Sequence, residues 1–465
     1  MTLHDGLGYR EAVRSALEDG DRFAGLHASD GGSVVHAALL TPDGDVRLES
    51  VRTEGSATPT IVDLAPAAGW DEREAHDLYG VRFDGHEPLR PLVDHDLVLS
   101  HWAVPVQGDD AYQVAVGPIH AGVIESGHFR FHVVGDRILH LDARLFYKHR
   151  GLERAAEGST LAEGARYVGR ACAACAVANG LAYAHACEEC LGLEPTSELA
   201  RARALLLELE RIWSHLNDIA AVCAGVGLAA GNNLFAALTE RARRLNARIT
   251  GHRFLFGAVA VGGSSLDLDA QAVGAAREEL EAIGREASRG WRELQFSASF
   301  QDRLPDIGVV GSEDVERLGT VGPAARAAGV ALDVRTISTR LAYDGFECRL
   351  PERAAGDVRA RLEQRALELE QSLEIARALL DEPVRPAPAA PGAVESPVGV
   401  GLVESARGAT LCVVERDGDR LRRVRLRTGS YANWPSVAYA ATDNLLPDFP
   451  LINKSFELCY ACADR

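Results

Sequence analysis

Two Cys-x-x-Cys pairs bracket most of this chain: Cys172/Cys175, and Cys459/Cys462 with only Ala463, Asp464 and Arg465 after it. If the four thiols serve one site, the fold must carry its last residues back across about 290 positions to meet the first pair. The two-residue spacer lets both sulfurs of a pair face one ion, and a helix N-terminus lowers a thiol's pKa toward the ligating thiolate. The first pair opens an alanine-rich run of helical character, the setting in which that effect operates. Sulfur donors select soft or borderline metals such as zinc, nickel and iron. Reduced cysteines buried in a core have the same spacing without any metal. The spacing leaves both readings open.

A third pair, Cys187-Glu188-Glu189-Cys190, could join Cys172 and Cys175 as a local zinc site. Against this, residues 176–186 read as continuous helix, about 16 Å long at about 1.5 Å per residue, which holds the pairs apart. Cys187 and Cys190 are therefore expected to be helix residues near the cluster. Nine cysteines, an odd number, argue for reduced thiols and metal ligation over a disulfide framework.

At 465 residues the chain is too long for one ordinary domain, and its 47% hydrophobic and 25% charged residues supply ample globular core. A formal charge of −18 disfavours nucleic acid and direct binding to an anionic lipid surface, while leaving docking on a membrane-embedded partner possible. The sequence has no secretory-type start and no uninterrupted apolar run of bilayer length, so a cytosolic or peripheral protein is expected.

Periodicity predicts an α+β chain. An N-terminal unit, residues 1–104, begins with a helix at 9–18, followed by strands at 33–40, 46–53 and 60–64 and a polar segment, 70–95, containing a charged helix capped by Gly80. A second unit, residues 111–465, opens with strands at 112–116, 128–134 and 137–141. Helices are then predicted at 198–224, 235–259, 270–296, 312–318 and 354–380, a bundle able to hold a metal between its elements. The Pro- and Ala-rich stretch 383–397 reads as a long loop inside this unit, since the chain beyond it must return to the first cysteine pair. A hairpin follows, strands 408–415 and 420–427 joined at Asp417-Gly418. Its arginines at 420, 422, 423, 425 and 427 are expected to form a solvated face.

Several ordered motifs lie on this frame. Glu72-Arg73-Glu74 through Gly85-His86-Glu87-Pro88 resembles the signature of the small hydrophilic peripheral-arm subunit of respiratory complex I, with Glu87 inserted between His and Pro. Then come Gly117-Pro118-Ile119-His120, Glu125-Ser126-Gly127-His128-Phe129-Arg130, Phe146-Tyr147-Lys148-His149-Arg150-Gly151-Leu152-Glu153, Ala406-Arg407-Gly408 and Asn433-Trp434-Pro435, set among the two cysteine pairs. In this order they resemble the large subunit of an energy-converting, formate hydrogenlyase-type nickel-iron hydrogenase, fusing complex I 30-kDa-like and 49-kDa-like subunits. The resemblance covers nearly the whole chain.

The resemblance implies that Cys172, Cys175, Cys459 and Cys462 ligate nickel, with Cys175 and Cys462 bridging to an iron that carries carbonyl and cyanide. Cys459 belongs to the catalytic set as a candidate proton-accepting thiolate. Glu125 matches the glutamate that passes the proton onward, and Arg407 the arginine overhanging the metal pair; on residue type alone they are a turn glutamate and a strand-end arginine. Electrons would pass to iron-sulfur clusters of a partner small subunit similar to complex I's 20-kDa subunit, since no further cysteine set here could hold a cluster. A ferredoxin-like subunit, membrane subunits and maturation factors are the other partners implied, on the cytoplasmic face of the inner membrane. Ala173 and Asn179 stand where the family has Gly and His, and Glu457-Leu458 where it has Asp-Pro. Those departures motivate the alternative of a complex I-like NADH/quinone oxidoreductase-type subunit, or an electron-transfer scaffold without hydrogen chemistry. The cysteines are generally missing from the homologous complex I subunit. Many relatives carry a tail clipped after the final His or Arg; ending at that Arg, this sequence is expected to be mature or made without a tail.

Overall fold

The computed structural model describes residues 2–93, 104–106, 108, 110–120, 125–392 and 394–465. The end of the polar segment, residues 94 and 95, and residues 107 and 109 of the boundary expected near 104–111 lie outside the described residues.

The N-terminal part is a four-stranded sheet in the spatial order Thr2–His4, Val46–Arg52, Val34–Leu40, Arg22–Ser29, parallel at the first pairing and antiparallel at the others. Helix Gly6–Glu18, capped by the Asp5 carboxylate on the Gly8 N–H, turns Tyr9, Val13 and Ala16 onto its core. Helix Gly69–Tyr79 ends at Gly80, whose φ of 69° supplies the left-handed cap expected there. The strand expected at 60–64 does not form. The Glu72 carboxylate takes the Ile61 N–H and the Thr60 hydroxyl, so this backbone is satisfied by a side chain and turns before it can join a ladder. Strand Arg22–Ser29 was not anticipated, because it is nearly all buried after its first turn and shows no polar alternation.

Beyond it, strands Tyr112–Val116, His128–Val134 and Arg137–Arg144 form an antiparallel sheet. The main core then gathers around helices Ala176–Cys190, Ser197–Gly225, Ala229–Thr250, Ala270–Gln295 and Val358–Leu379. Gly251, at φ 80°, ends the third of these eight residues short of the expected 259. Asp269 and Asp357 cap the fourth and fifth, receiving the N–H groups of Ala272 and Ala360.

A three-stranded sheet closes the molecule: Val398–Ser405, Gly408–Asp417 and Arg420–Arg427 in sequence order, all antiparallel. The last two are the expected hairpin. Val398–Ser405 was missed, and its reason for being here is contact: a Cβ on Gly401 would lie 1.9 Å from the Ala182 carbonyl oxygen, so glycine alone lets this strand lie against helix Ala176–Cys190. The arginine strand departs most from expectation. Arg423, Arg425 and Arg427 are buried and ion-paired, Arg423 to Glu153, Arg425 to Asp71 and Glu74, Arg427 to Asp71. Arg425 and Arg427 face the carboxylates of the N-terminal signature helix, and Arg423 that of the 146–153 motif, instead of water.

Candidate metal centre

The last residues of the sequence and the segment before Cys172 are both held by the motif 146–153. The Asp464 carboxylate accepts the Phe146 and Lys148 N–H groups at 2.7 and 2.9 Å, and the Arg465 carbonyl accepts the Arg150 N–H at 2.7 Å. Arg150 Nη2 in turn donates to the Ala171 carbonyl, immediately before Cys172. One short motif thus grips the terminal residues with its backbone and the first cysteine pair with a side chain.

Cys172, Cys175, Cys459 and Cys462 consequently have their sulfurs within 4.8 Å of one another. Cys172 Sγ and Cys462 Sγ are 2.9 Å apart. Cys175 caps helix Ala176–Cys190, and Cys459 caps the short terminal helix Tyr460–Asp464. Cys172, Cys175 and Cys462 are buried while Cys459 is half-buried, so the cluster opens on the Cys459 side. Hydrogen bonds from Cys172, Cys175 and Cys462 hold the Cys459 thiol well below its ordinary pKa against the opposing effect of burial, with help from the Arg407 charge. The cluster therefore favours one thiolate even without a cation. The donor set fits a soft divalent metal: four sulfurs, converging, screened from water on three sides.

Cys187 and Cys190 lie at the far end of the same helix, about 18 Å from Cys175 at about 1.5 Å per residue. Cys190 Sγ donates to the Val414 carbonyl at 3.7 Å. They are core residues, not neighbours of the cluster.

Arg407 is buried, not a solvent-facing strand end. Its Nε donates to the Glu457 carbonyl at 2.9 Å, Nη1 to Ser214 Oγ and Nη2 to Asp218 Oδ1 at 2.9 Å. Burial opposes its charge, but Asp218, Cys459, Cys175 and Glu457 together more than offset that and raise its pKa. Its backbone is fixed as well: Asn433, from the Asn-Trp-Pro motif, donates Nδ2 to the Arg407 carbonyl at 3.1 Å and also bonds both polar groups of Val321. Gly408, at φ 120°, permits this crossing, since a Cβ there would meet the Gly322 nitrogen at 2.6 Å.

Glu125 lies on the open side. It is exposed, yet Oε2 is tucked against the Ala461 N–H at 2.8 Å, between the two terminal cysteines. Burial of that end raises its pKa; the Ala461 N–H works the other way, and Cys459 adds to the rise.

Two of the substituted positions touch the cluster or its supports: Asn179 the cluster, and Glu457, through its carbonyl, Arg407. Asn179, fully buried, directs Nδ2 toward Cys462 Sγ at 3.8 Å and leaves Oδ1 without a partner among the described residues. Glu457 adopts φ 48° at the end of helix Phe449–Phe456, and burial, with Asp218 nearby, pushes its carboxyl up to about 8. Leu458 is buried beside it.

Sequence reasoning missed Glu210, Ser214 and Asp218. They recur every four residues on helix Ser197–Gly225, one polar line on a helix buried along most of its length. Glu210 accepts the Val177 and Ala178 N–H groups at 2.6 and 3.1 Å, capping the helix that Cys175 starts, and burial pushes it up to about 8. Their recurrence at spacing four, which places them on one face of the helix, was the available signal.

Residues 10–111 match the family described as respiratory-chain NADH dehydrogenase, 30 Kd subunit, and residues 227–390 that described as respiratory-chain NADH dehydrogenase, 49 Kd subunit. Formate hydrogenlyase subunit 5 of Escherichia coli is 28% identical, covering 94% of this chain and 82% of the relative. The carbon monoxide-induced hydrogenase of Rhodospirillum rubrum is 28% identical over 76% of this chain and 99% of its own length. The NADH-quinone oxidoreductase C/D subunit of Edwardsiella ictaluri is 25% identical over 100% of this chain and 88% of that protein. Among solved structures, a chain of the membrane-bound sulfane sulfur reductase, an archaeal respiratory membrane complex, superposes with a TM-score of 0.69 at 27% identity, covering 78% of this chain and 100% of that one. The chain is thus a fusion of complex I 30-kDa-like and 49-kDa-like domains, similar to oxidoreductase subunits of both the complex I and the hydrogenase type.

Proposed function

We propose that this chain is the large subunit of a nickel-iron hydrogenase interconverting dihydrogen with protons and electrons, with residues 1–104 as the 30-kDa-like unit and 111–465 as the catalytic unit. The carrying observation is the convergence of four cysteine sulfurs within 4.8 Å. Cys172, Cys175, Cys459 and Cys462 would hold the nickel, and Cys175 and Cys462 would share the iron with its carbonyl and cyanide ligands. When bound, such a centre supplies the redox change and the polarisation of dihydrogen.

The chain's own side chains divide the remaining work. Arg407, held on three partners, keeps a fixed positive charge over the cluster. Asn179 offers an N–H to Cys462. Cys459 is the thiol on the open side, and Glu125 beside it, with its pKa raised, is suited to take a proton and release it to solvent. Electrons would leave to iron-sulfur clusters of a complex I 20-kDa-like small subunit, and a ferredoxin-like subunit, membrane subunits and maturation factors would complete the assembly. No helix among the described residues is long and apolar enough to cross a membrane, so attachment to the cytoplasmic face of the inner membrane would run through those partners.

Complex purified from a host with working maturation factors should contain about one nickel per chain and show carbonyl and cyanide infrared bands. A nickel-free preparation would sink the reading. A second reading, a complex I-like quinone-reducing subunit or an electron-transfer scaffold, is favoured by Asn179 Oδ1, which has no partner among the described residues, and by the half-buried Glu457 with its raised pKa. Hydrogen–deuterium exchange between gas and water separates the two: its absence at full nickel occupancy would support the second.

A further inference from the structure

Away from the cysteine cluster, a second group of ligand-type atoms closes between the N-terminal and C-terminal sheets. His27 and His36 are direct cross-strand partners on Arg22–Ser29 and Val34–Leu40, with rings stacked at 4.8 Å. Glu415, from strand Gly408–Asp417, meets them from the opposite side. Its Oε1 lies 3.5 Å from His27 Nε2 and 3.7 Å from His36 Nε2. All three side chains are at most 5% exposed. Among the described residues, two of the converging atoms, His27 Nε2 and Glu415 Oε1, have no hydrogen-bond partner beyond the long 3.5 Å contact between them.

An unpaired nitrogen facing an unpaired carboxylate oxygen inside a dry junction is unfavourable unless something satisfies both. The spacing matches a small tetrahedral ion: nitrogen and oxygen donors at about 2.0–2.2 Å from zinc stand about 3.4 Å from each other. The outer atoms are already fixed. Ser50 Oγ holds His36 Nδ1 at 2.8 Å, and Arg422 Nη2 holds Glu415 Oε2 at 2.6 Å, which leaves Nε2 and Oε1 turned inward. Ser29 Oγ lies 3.0 Å from His36 Nε2 and adds a hydroxyl to the group.

We propose that His27, His36 and Glu415 form a binding site for a divalent ion of the zinc class, which fastens the N-terminal sheet to the C-terminal hairpin. Two imidazoles and one carboxylate without thiolate suit zinc and its neighbours over calcium or magnesium. The site shares no residue with the cysteine cluster.

The test uses the full chain supplied with zinc and dialysed against a weak chelator, as wild type, Glu415→Gln and His27→Asn. Zinc per chain, measured by mass spectrometry, should fall by about one in each variant, and zinc should raise the melting temperature of the wild type more than that of either. The zinc absorption edge of the wild type should contain a nitrogen and oxygen shell near about 2.0 Å beside any sulfur shell from the cysteines. Equal zinc in all three proteins overturns the proposal, as does zinc lost from all of them on dialysis, which is an adventitious ion only. A wild-type edge fitted by sulfur alone overturns it whether or not the variants fold.

Discussion

Arg465 Nη2 lies 2.7 Å from Glu74 Oε2, both side chains buried, so the final residue of the sequence is ion-paired to the signature helix of the N-terminal sheet. Glu74 also accepts from Arg425 at 2.5 Å, and Glu153 shares Arg465 at 3.2 Å. Deleting one member of a buried ionic group leaves the others uncompensated. Glu74→Gln should therefore cost about 3–5 kcal/mol in urea unfolding, the scale for breaking a buried pair. A loss under about 1 kcal/mol, typical of an exposed pair, would mean that water reaches this junction.

The same carboxylate fixes a pH dependence. Burial alone would raise the Glu74 pKa, but the Arg425 and Arg465 guanidiniums hold it far below the usual carboxylate range. A depressed folded pKa means that the unfolded chain, near about 4.3, binds the proton first as pH falls. The stability this group contributes is complete above that value and is lost progressively below it. Between about pH 4.3 and 2 it should add up to about 1.4 kcal/mol per pH unit to the slope of unfolding free energy. Glu74→Gln should remove that share, and identical acid limbs in the two proteins would contradict the assignment.

Much of this architecture is legible in the sequence because its signals are local. Gly80 and Asp417-Gly418 are punctuation that needs no tertiary partner, and helix Ser197–Gly225 carries its own period. The cysteine spacing, with the ordered motifs, pointed to a return of the terminus that the structure displays. What could not be read is set by long-range contact. Arg425 and Arg427 look like part of a solvated stripe until Asp71 and Glu74, some 350 positions earlier, are placed over them, and Arg423 until Glu153 is. Residues 60–64 have strand composition, yet one glutamate side chain outcompetes the ladder for their backbone. Asp218 and Ser214 carry no sign of Arg407, and only their spacing hinted at a shared face.

Asp218 is the counter-charge for two guanidiniums, accepting Arg407 Nη2 at 2.9 Å and Arg365 Nε at 3.1 Å. Asp218→Asn keeps the shape and removes the charge between them, so a loss of about 3–5 kcal/mol is expected. Ser214→Ala removes only a neutral acceptor from Arg407 and should cost about 0.5–1.5 kcal/mol. Denaturant midpoints of the two variants rank these effects, and the reverse order would show that Arg407 is anchored by its hydroxyl partner instead.

Glu125 can be tested without disturbing the cluster it adjoins. Glu125→Gln retains an oxygen for the Ala461 N–H and loses the titrating proton. If Glu125 relays protons from the Cys459 side, nickel content should be unchanged while hydrogen turnover drops by roughly 100-fold or more, the scale of general acid–base contributions. Unaltered turnover rejects the relay.

The terminal cysteines should control both metal and tail. Cys459→Ser replaces a soft thiolate with a hard, poorly ionised oxygen, and a metal bound only by the completed site no longer stabilises the closed form. Nickel should be lost. Residues 446–465 should then become sensitive to protease, although the Asp464 and Arg465 contacts with the 146–153 motif and Glu74 will slow cleavage at the last few residues. The N-terminal sheet, whose apolar core is built from its own residues, should stay folded and resist the same digestion. Wild-type nickel content together with a fully protected tail in Cys459→Ser would mean that the four thiols do not form one site, and the hydrogenase reading would fall with it.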